Sequence, residues 1–249
     1  MKTRLPISVP FKLLALAAAL VASSSALAGP ANKVYLPIVE KGETEFEFRG
    51  GYRDYSGEPN EYATVFDVGY AVTSRWKTEL SVEYSGQPGL ASSFEAMEWE
   101  NVIVFTEQGE HWADVGLLVE YEHTFADGPD ELKVGPIFMK EIGPTVAALN
   151  LIFESQVGSG ASNDIDVGYA WQVKWRGKEA LEWGLQGFGG AGQLDNLGTG
   201  DDHSIGPALF GVKRLASGNK LAYDAAILAG LNDAAPDLAV RFELEYEMY

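Results

Sequence analysis

Residues 43–54 read ETEFEFRGGYRD, and the character of the side chain changes at every second position. Thr44, Phe46, Phe48, Gly50 and Tyr52 share one parity, while Glu43, Glu45, Glu47, Arg49, Gly51 and Arg53 share the other. Successive side chains of a β-strand point to opposite faces, so this stretch makes one apolar face and one charged face. The same reading recurs along the chain. Residues 61–71 set Tyr62, Phe66, Val68 and Tyr70 against Asp67 and Gly69. Residues 75–85 set Trp76, Leu80, Val82 and Tyr84 against Lys77, Glu79 and Glu83. Residues 114–123 oppose Val115, Leu117, Val119 and Tyr121 to Glu120 and Glu122, and residues 147–157 oppose Leu149, Leu151 and Phe153 to Asn150 and Glu154. Residues 164–175 oppose Ile165, Val167, Tyr169, Trp171 and Trp175 to Asp166, Gln172 and Lys174. The final stretch, 238–248, opposes Val240, Phe242, Leu244 and Tyr246 to Arg241, Glu243, Glu245 and Glu247. Five further runs, 95–105, 131–140, 180–189, 204–213 and 221–231, alternate less cleanly. The total is about twelve strands.

The connections sort into two sets. Those at 56–60, 86–93, 126–130, 159–163, 190–202 and 232–237 are rich in Gly, Pro, Asp and Asn. Those at 73–74, 107–110, 141–144, 176–178 and 216–219 are shorter. Alternating long and short connections are expected of an up-and-down meander that spans a membrane. No stretch after the first residues is long and apolar enough for a helical span. Hydrocarbon cannot satisfy backbone N–H and C=O groups, so a spanning chain without such helices must close its strands into a ring. The expected fold is therefore all-β, a transmembrane antiparallel up-and-down β-barrel of about twelve strands over residues 43–249. A soluble barrel would turn its apolar parity inward, and twelve strands would then enclose more apolar space than side chains fill. The polar parity here carries Gly and charges of both signs, as a hydrated interior does. Aromatic residues add a second indication: Trp76, Trp112, Trp175 and Trp183 fall near short turns, and Tyr52, Tyr62, Tyr84 and Tyr121 near long loops, as two interfacial girdles would. The rival fold is a soluble periplasmic β-sandwich.

Composition narrows the function. The 249 residues carry 36 acidic and 18 basic side chains, a net charge of −18, and no Cys. Zero Cys excludes thiolate metal sites and thiol catalysis. The acidic balance disfavours a nucleic-acid partner, which needs a basic footprint. Lys2, Arg4 and Lys12, an apolar run from Leu13 to Ala22, and Ala26-Leu27-Ala28 form a cleavable secretory signal peptide over residues 1–28. Residues 29–42 are expected as a periplasmic segment preceding the barrel, and the protein is expected in the outer membrane, with lipid around it.

Closing a barrel brings its first and last strands together, so the charged rows of both should be neighbours. The candidate lumen-lining residues are Glu45, Glu47, Arg49, Arg53, Asp67, Glu79, Glu83, Glu120, Glu122, Glu154, Asp166, Lys174, Arg241, Glu243 and Glu245. Such a row favours cations or a polar conduit for small solutes. The alternatives are a closed binding or structural barrel, whose ion pairs simply fill it, and an outer-membrane hydrolase. Against a hydrolase, the one Ser–His neighbour pair is His203-Ser204, and adjacent residues rarely meet in hydrogen-bond geometry. No enzyme activity, catalytic residue, cofactor or metal site is expected. Asn196, Asp201 and Asp202 do not match a calcium-loop spacing, and the glycines at 187–192 do not open a helix for a dinucleotide.

On these features the chain resembles bacterial outer-membrane β-barrel proteins. Its closing strand, RFELEYEMY, looks like the aromatic C-terminal strand read by barrel-assembly machinery, with Tyr249 out of phase with the apolar row. More narrowly, EFEFRGGYRDYS, EWENVIVF and ELKVGPIFMKEIGPTVAALNLIFE resemble a transporter-like family labelled "MetA-pathway of phenol degradation". That resemblance implies movement or sensing of small, aromatic molecules and carries over no catalytic residue.

Overall fold

The computed structural model describes residues 29–125, 128–198 and 202–249, so the expected signal peptide at 1–28 and Asp201 lie outside the described residues. Twelve strands form the wall: β1 (Thr44–Asp54), β2 (Glu61–Thr73), β3 (Trp76–Gly86), β4 (Ser93–Val104), β5 (Asp114–Thr124) and β6 (Asp130–Ile142). The circuit continues with β7 (Thr145–Val157), β8 (Ile165–Lys178), β9 (Leu181–Gln193), β10 (His203–Arg214), β11 (Lys220–Gly230) and β12 (Leu238–Met248). A two-residue ladder, Asn196–Leu197, extends β9 at its rim. Each strand pairs antiparallel with its neighbours in sequence, and β12 pairs with β1, which closes the ring and leaves no open edge. At the seam Glu45 stands opposite Glu247, Glu47 opposite Glu245 and Arg49 opposite Glu243.

One short connection is longer than its sequence suggests. The β4–β5 link occupies residues 105–113 rather than 107–110. It is tied locally, since Gly109 N donates to Asp114 Oδ1 at 2.7 Å and Val115 N donates to Thr106 Oγ1 at 2.9 Å. Neighbouring short turns are also cross-linked by ion pairs: Arg75–Glu107 at 2.6 Å, Arg176–Glu141 at 2.9 Å and Arg214–Glu179 at 2.8 Å.

The outward parity is apolar around the whole wall. Phe66, Val68, Leu80, Trp99, Leu209 and Ile227 are each exposed by half or more. Leaving such a continuous band in water would cost roughly 25 cal/mol per Å² of apolar surface, so its natural surroundings are hydrocarbon.

The inward parity divides into two arcs. From β1 to β7 it is crowded with charge. From β8 to β12 the long-loop half is mainly small and apolar, with Ala170, Phe188, Ala208, Phe210, Ala226, Leu228 and Ala239 forming one buried cluster, while Lys174, Glu182, Asp224, Arg241, Glu243 and Glu247 keep the short-turn half charged. The segment 29–42, expected as a periplasmic segment preceding the barrel, runs through the interior. Pro30 lies beside Gly51, near the long-loop end, and Glu40 reaches Lys220 at the short-turn end. The reason is its alternating character. Lys33 turns to the charged arc, Val34 packs on the apolar arc, and Tyr35 and Val39 pack on Val102, Val104, Leu118 and Ile137. Gly42 N then donates to Ala71 O at 2.9 Å and the chain turns into β1.

Candidate functional site: the acidic barrel interior

Register places carboxylates side by side around the charged arc. One row runs Glu247, Glu45, Gly69, Glu79, Glu100, Glu120, Lys133, Glu154 and Asp166 across nine consecutive strands. Like charges directly opposite one another are destabilising, so the row needs cations. The segment supplies the central one. Lys33 Nζ is buried, at 3.2 Å from Glu100, 3.6 Å from Glu47 and 3.7 Å from Glu79. Arg49 adds Glu47 at 2.7 Å, Asp67 at 3.1 Å and Glu100 at 3.3 Å, and its Nη1 donates to Ala31 O at 3.1 Å. Lys77 pairs with Glu45 at 2.8 Å, and Lys133 pairs with Glu120 at 2.7 Å and Glu122 at 2.8 Å. Burying charge is tolerable only when each ion finds such partners.

The backbone of the segment is held as well. Tyr35 N donates to Asn150 Oδ1, and Asn150 Nδ2 donates back to Tyr35 O, both at 2.8 Å. A Cβ at residue 51 would lie 1.7 Å from Pro30 O, so glycine is required where the segment passes the wall. At the short-turn end Lys220 Nζ donates to Glu40 and to Glu247, each at 2.8 Å. Lys220 holds the Glu40 carboxyl below the usual carboxylate range through that hydrogen bond. Tyr249 continues the inward parity of Arg241, Glu243, Glu245 and Glu247, which explains why it is out of phase with the apolar row. Its hydroxyl lies 2.7 Å from Glu43 and 2.6 Å from Glu247, and burial beside these two carboxylates pushes the phenol pKa up.

The remaining candidates scatter around these centres. Arg241 binds Asp224 and Glu243 and donates to Gln186 Oε1 at 2.7 Å. Arg53 sits at the long-loop rim with Glu61 at 3.2 Å and Asp202 at 3.5 Å, and Lys174 pairs with Glu182 at 3.3 Å. Glu154 stands beside Asp166 across β7 and β8, and Glu245 beside Glu47 across the seam. Residues absent from the sequence candidates include Lys33, Tyr35, Glu98, Glu100 and Lys220. Glu98 and Glu100 alternate visibly in EAMEWENV, whereas nothing in the sequence signals that Lys33 enters the ring.

The segment leaves two cavities, one on each side. The long-loop cavity, about 530 Å³, is lined by six carboxylates against four Lys or Arg side chains. The short-turn cavity, about 330 Å³, has eleven against five. Both are lined by more carboxylates than cationic side chains. Among the described residues His203 and Ser204 do not meet. His203 turns outward, its Nδ1 2.8 Å from the Tyr169 hydroxyl, while Ser204 turns inward and is buried. His123 Nδ1 lies 2.8 Å from Asp130 at the outer rim.

The fold matches solved outer-membrane barrels. The COG4313 outer membrane channel from Pseudomonas putida F1 is similar at a TM-score of 0.57 and 12% identity, over 88% of this chain and 98% of that one. The NanC porin is similar at 0.54 and 10% identity, over 82% of this chain and 99% of that one. No protein-family model matches the chain and no curated protein sequence matches it.

Proposed function

We propose that the chain is an outer-membrane channel for small solutes, exported by removal of residues 1–28, with an interior that prefers cations and a conductance set by residues 29–42. The observation that carries this reading is the pair of acidic cavities, one toward each mouth, separated by the segment where Lys33 and Tyr35 line both. Rings of carboxylates select cations in a pore, and a buried Lys or Arg opposes their passage. The channel and porin structures of similar fold support the class of function.

The test is conductance in planar bilayers under a KCl gradient. The full chain should give small, cation-selective steps, and deletion of residues 30–40 should enlarge them several-fold while keeping the selectivity. No steps from either protein would favour the closed structural barrel instead. Anion selectivity in the deleted form would remove the acidic conduit.

A further inference from the structure

The long-loop cavity has a built interior beyond what a plain conduit needs. We infer that it is a binding site for small organic ammonium ions with an apolar body, held on Glu98 and Glu83. Glu98 is nine-tenths buried and lines the cavity, yet it makes no hydrogen bond among the described residues. Its one cationic contact is Arg49 Nη2 at 3.9 Å, beyond hydrogen-bond reach, because Arg49 is committed to Glu47, Asp67, Glu100 and Ala31 O. A buried carboxylate with only one such long contact is poorly compensated, and a ligand cation that donates to it reduces that cost. Glu83 also lines the cavity and makes no ion pair among the described residues. It lies diagonally from Glu98 across β3 and β4, about 7–8 Å at the backbone, so one ammonium with three donors can reach both side chains. The other cations of the cavity wall are occupied: Lys133 by Glu120 and Glu122, and Arg53 by Glu61 and Asp202.

The apolar lining fixes the rest of the ligand. Leu118, Ile152 and Ala170 are buried and face the same space. A cavity of about 530 Å³ lies in the range of small-molecule sites. A bare divalent ion is the poorer fit. Glu98, Glu120 and Glu122 do bring carboxylate oxygens within 4.8 Å of one another, but Lys133 already sits on two of them and would have to leave. An ammonium on Glu98 and Glu83 displaces nothing.

The inference deepens the channel reading and rests on it for the route of entry, but binding is measured without flux. The full chain in zwitterionic micelles is titrated calorimetrically with cyclohexylmethylammonium chloride, cyclohexylmethanol and calcium chloride. The amine should bind saturably and the alcohol should not. Glu98→Gln should weaken the amine at least tenfold and Glu83→Gln several-fold, with Glu98→Asp retaining part of the affinity. Heat-modifiable gel migration checks that each variant still closes. Equal binding of the alcohol, or unchanged affinity in both Gln variants, overturns the site. Stoichiometric calcium binding that depends on Glu98 and excludes the amine makes it a metal site and also overturns the inference. Binding that survives while conductance is absent removes the channel reading and leaves this one standing.

Discussion

The two arcs of the interior hold the same segment by different physics. The β1–β7 arc holds it by pairing, with Lys33 against Glu47, Glu79 and Glu100. Apart from the Lys220–Glu40 pair at its short-turn end, the β8–β12 arc holds it by fit, since Val34 packs on the cluster that includes Ala170, Ala208, Ala226 and Ala239. A paired wall is sensitive to which charge is lost and indifferent to small changes in volume. A fitted wall is the reverse. The contrast shows that one face of a barrel interior can specify position by chemistry while the other specifies only distance.

The largest effect should come from Lys33→Met. Removing one partner of a buried ion cluster costs about 3–5 kcal/mol, because the carboxylates left behind lose their counter-ion. That exceeds what a short segment can absorb, so the segment should leave while the wall stays closed. Single-channel conductance should rise several-fold with heat-modifiable migration unchanged. If conductance stays at the level of the unaltered chain, pairing does not hold the segment and the contrast fails.

The fitted wall is tested by Ala208→Phe. Overpacking a filled core costs about 1–3 kcal/mol, and the least costly relief is again displacement of Val34. The urea midpoint of the refolded protein should fall, whereas Ala170→Ser, which adds one atom, should be nearly silent. Equal sensitivity of both would show that this wall, too, is chemically specific.

The smallest effect concerns the tether at the short-turn end. Glu40 is half-exposed, so its pair with Lys220 is worth about 0.2–1 kcal/mol. Its carboxyl pKa is depressed in the folded state, so the contribution is present above the ordinary carboxylate value, about 4.3, and is lost as pH falls through the lower folded value. Conductance noise should therefore grow on acidification below that point. Glu40→Gln should show the raised noise at neutral pH and no further step from this residue.

The same contrast explains what the sequence made legible. Where the inward parity is charged, as in ETEFEFRGGYRD, polarity alternates and both strand and facing can be read directly. In the fitted arc many inward positions are Gly, Ala, Phe or Leu, with few charges such as Glu182 and Asp224 between them, so the two faces of β9, β10 and β11 differ less in polarity and their alternation fades. Closure placed the first and last charged rows together, because an up-and-down ring has only one seam. The pairing around Lys33 was not legible. It depends on the stagger accumulated across β1 to β4 and on a segment whose apolar residues and prolines suggest no strand partner. Glu98 and Glu100 were readable by parity yet gain their meaning only from that register. The Tyr249 position was readable too, once the inward row is counted on from Glu247.

The path of residues 29–42 has a consequence for sidedness. An even number of wall strands returns a chain to the side on which it began. The interior pass makes the number of crossings odd, so Pro30 and Tyr249 stand at opposite mouths. A label fused at residue 29 and one fused after residue 249 would report on two different compartments, although both ends adjoin the same seam of the ring.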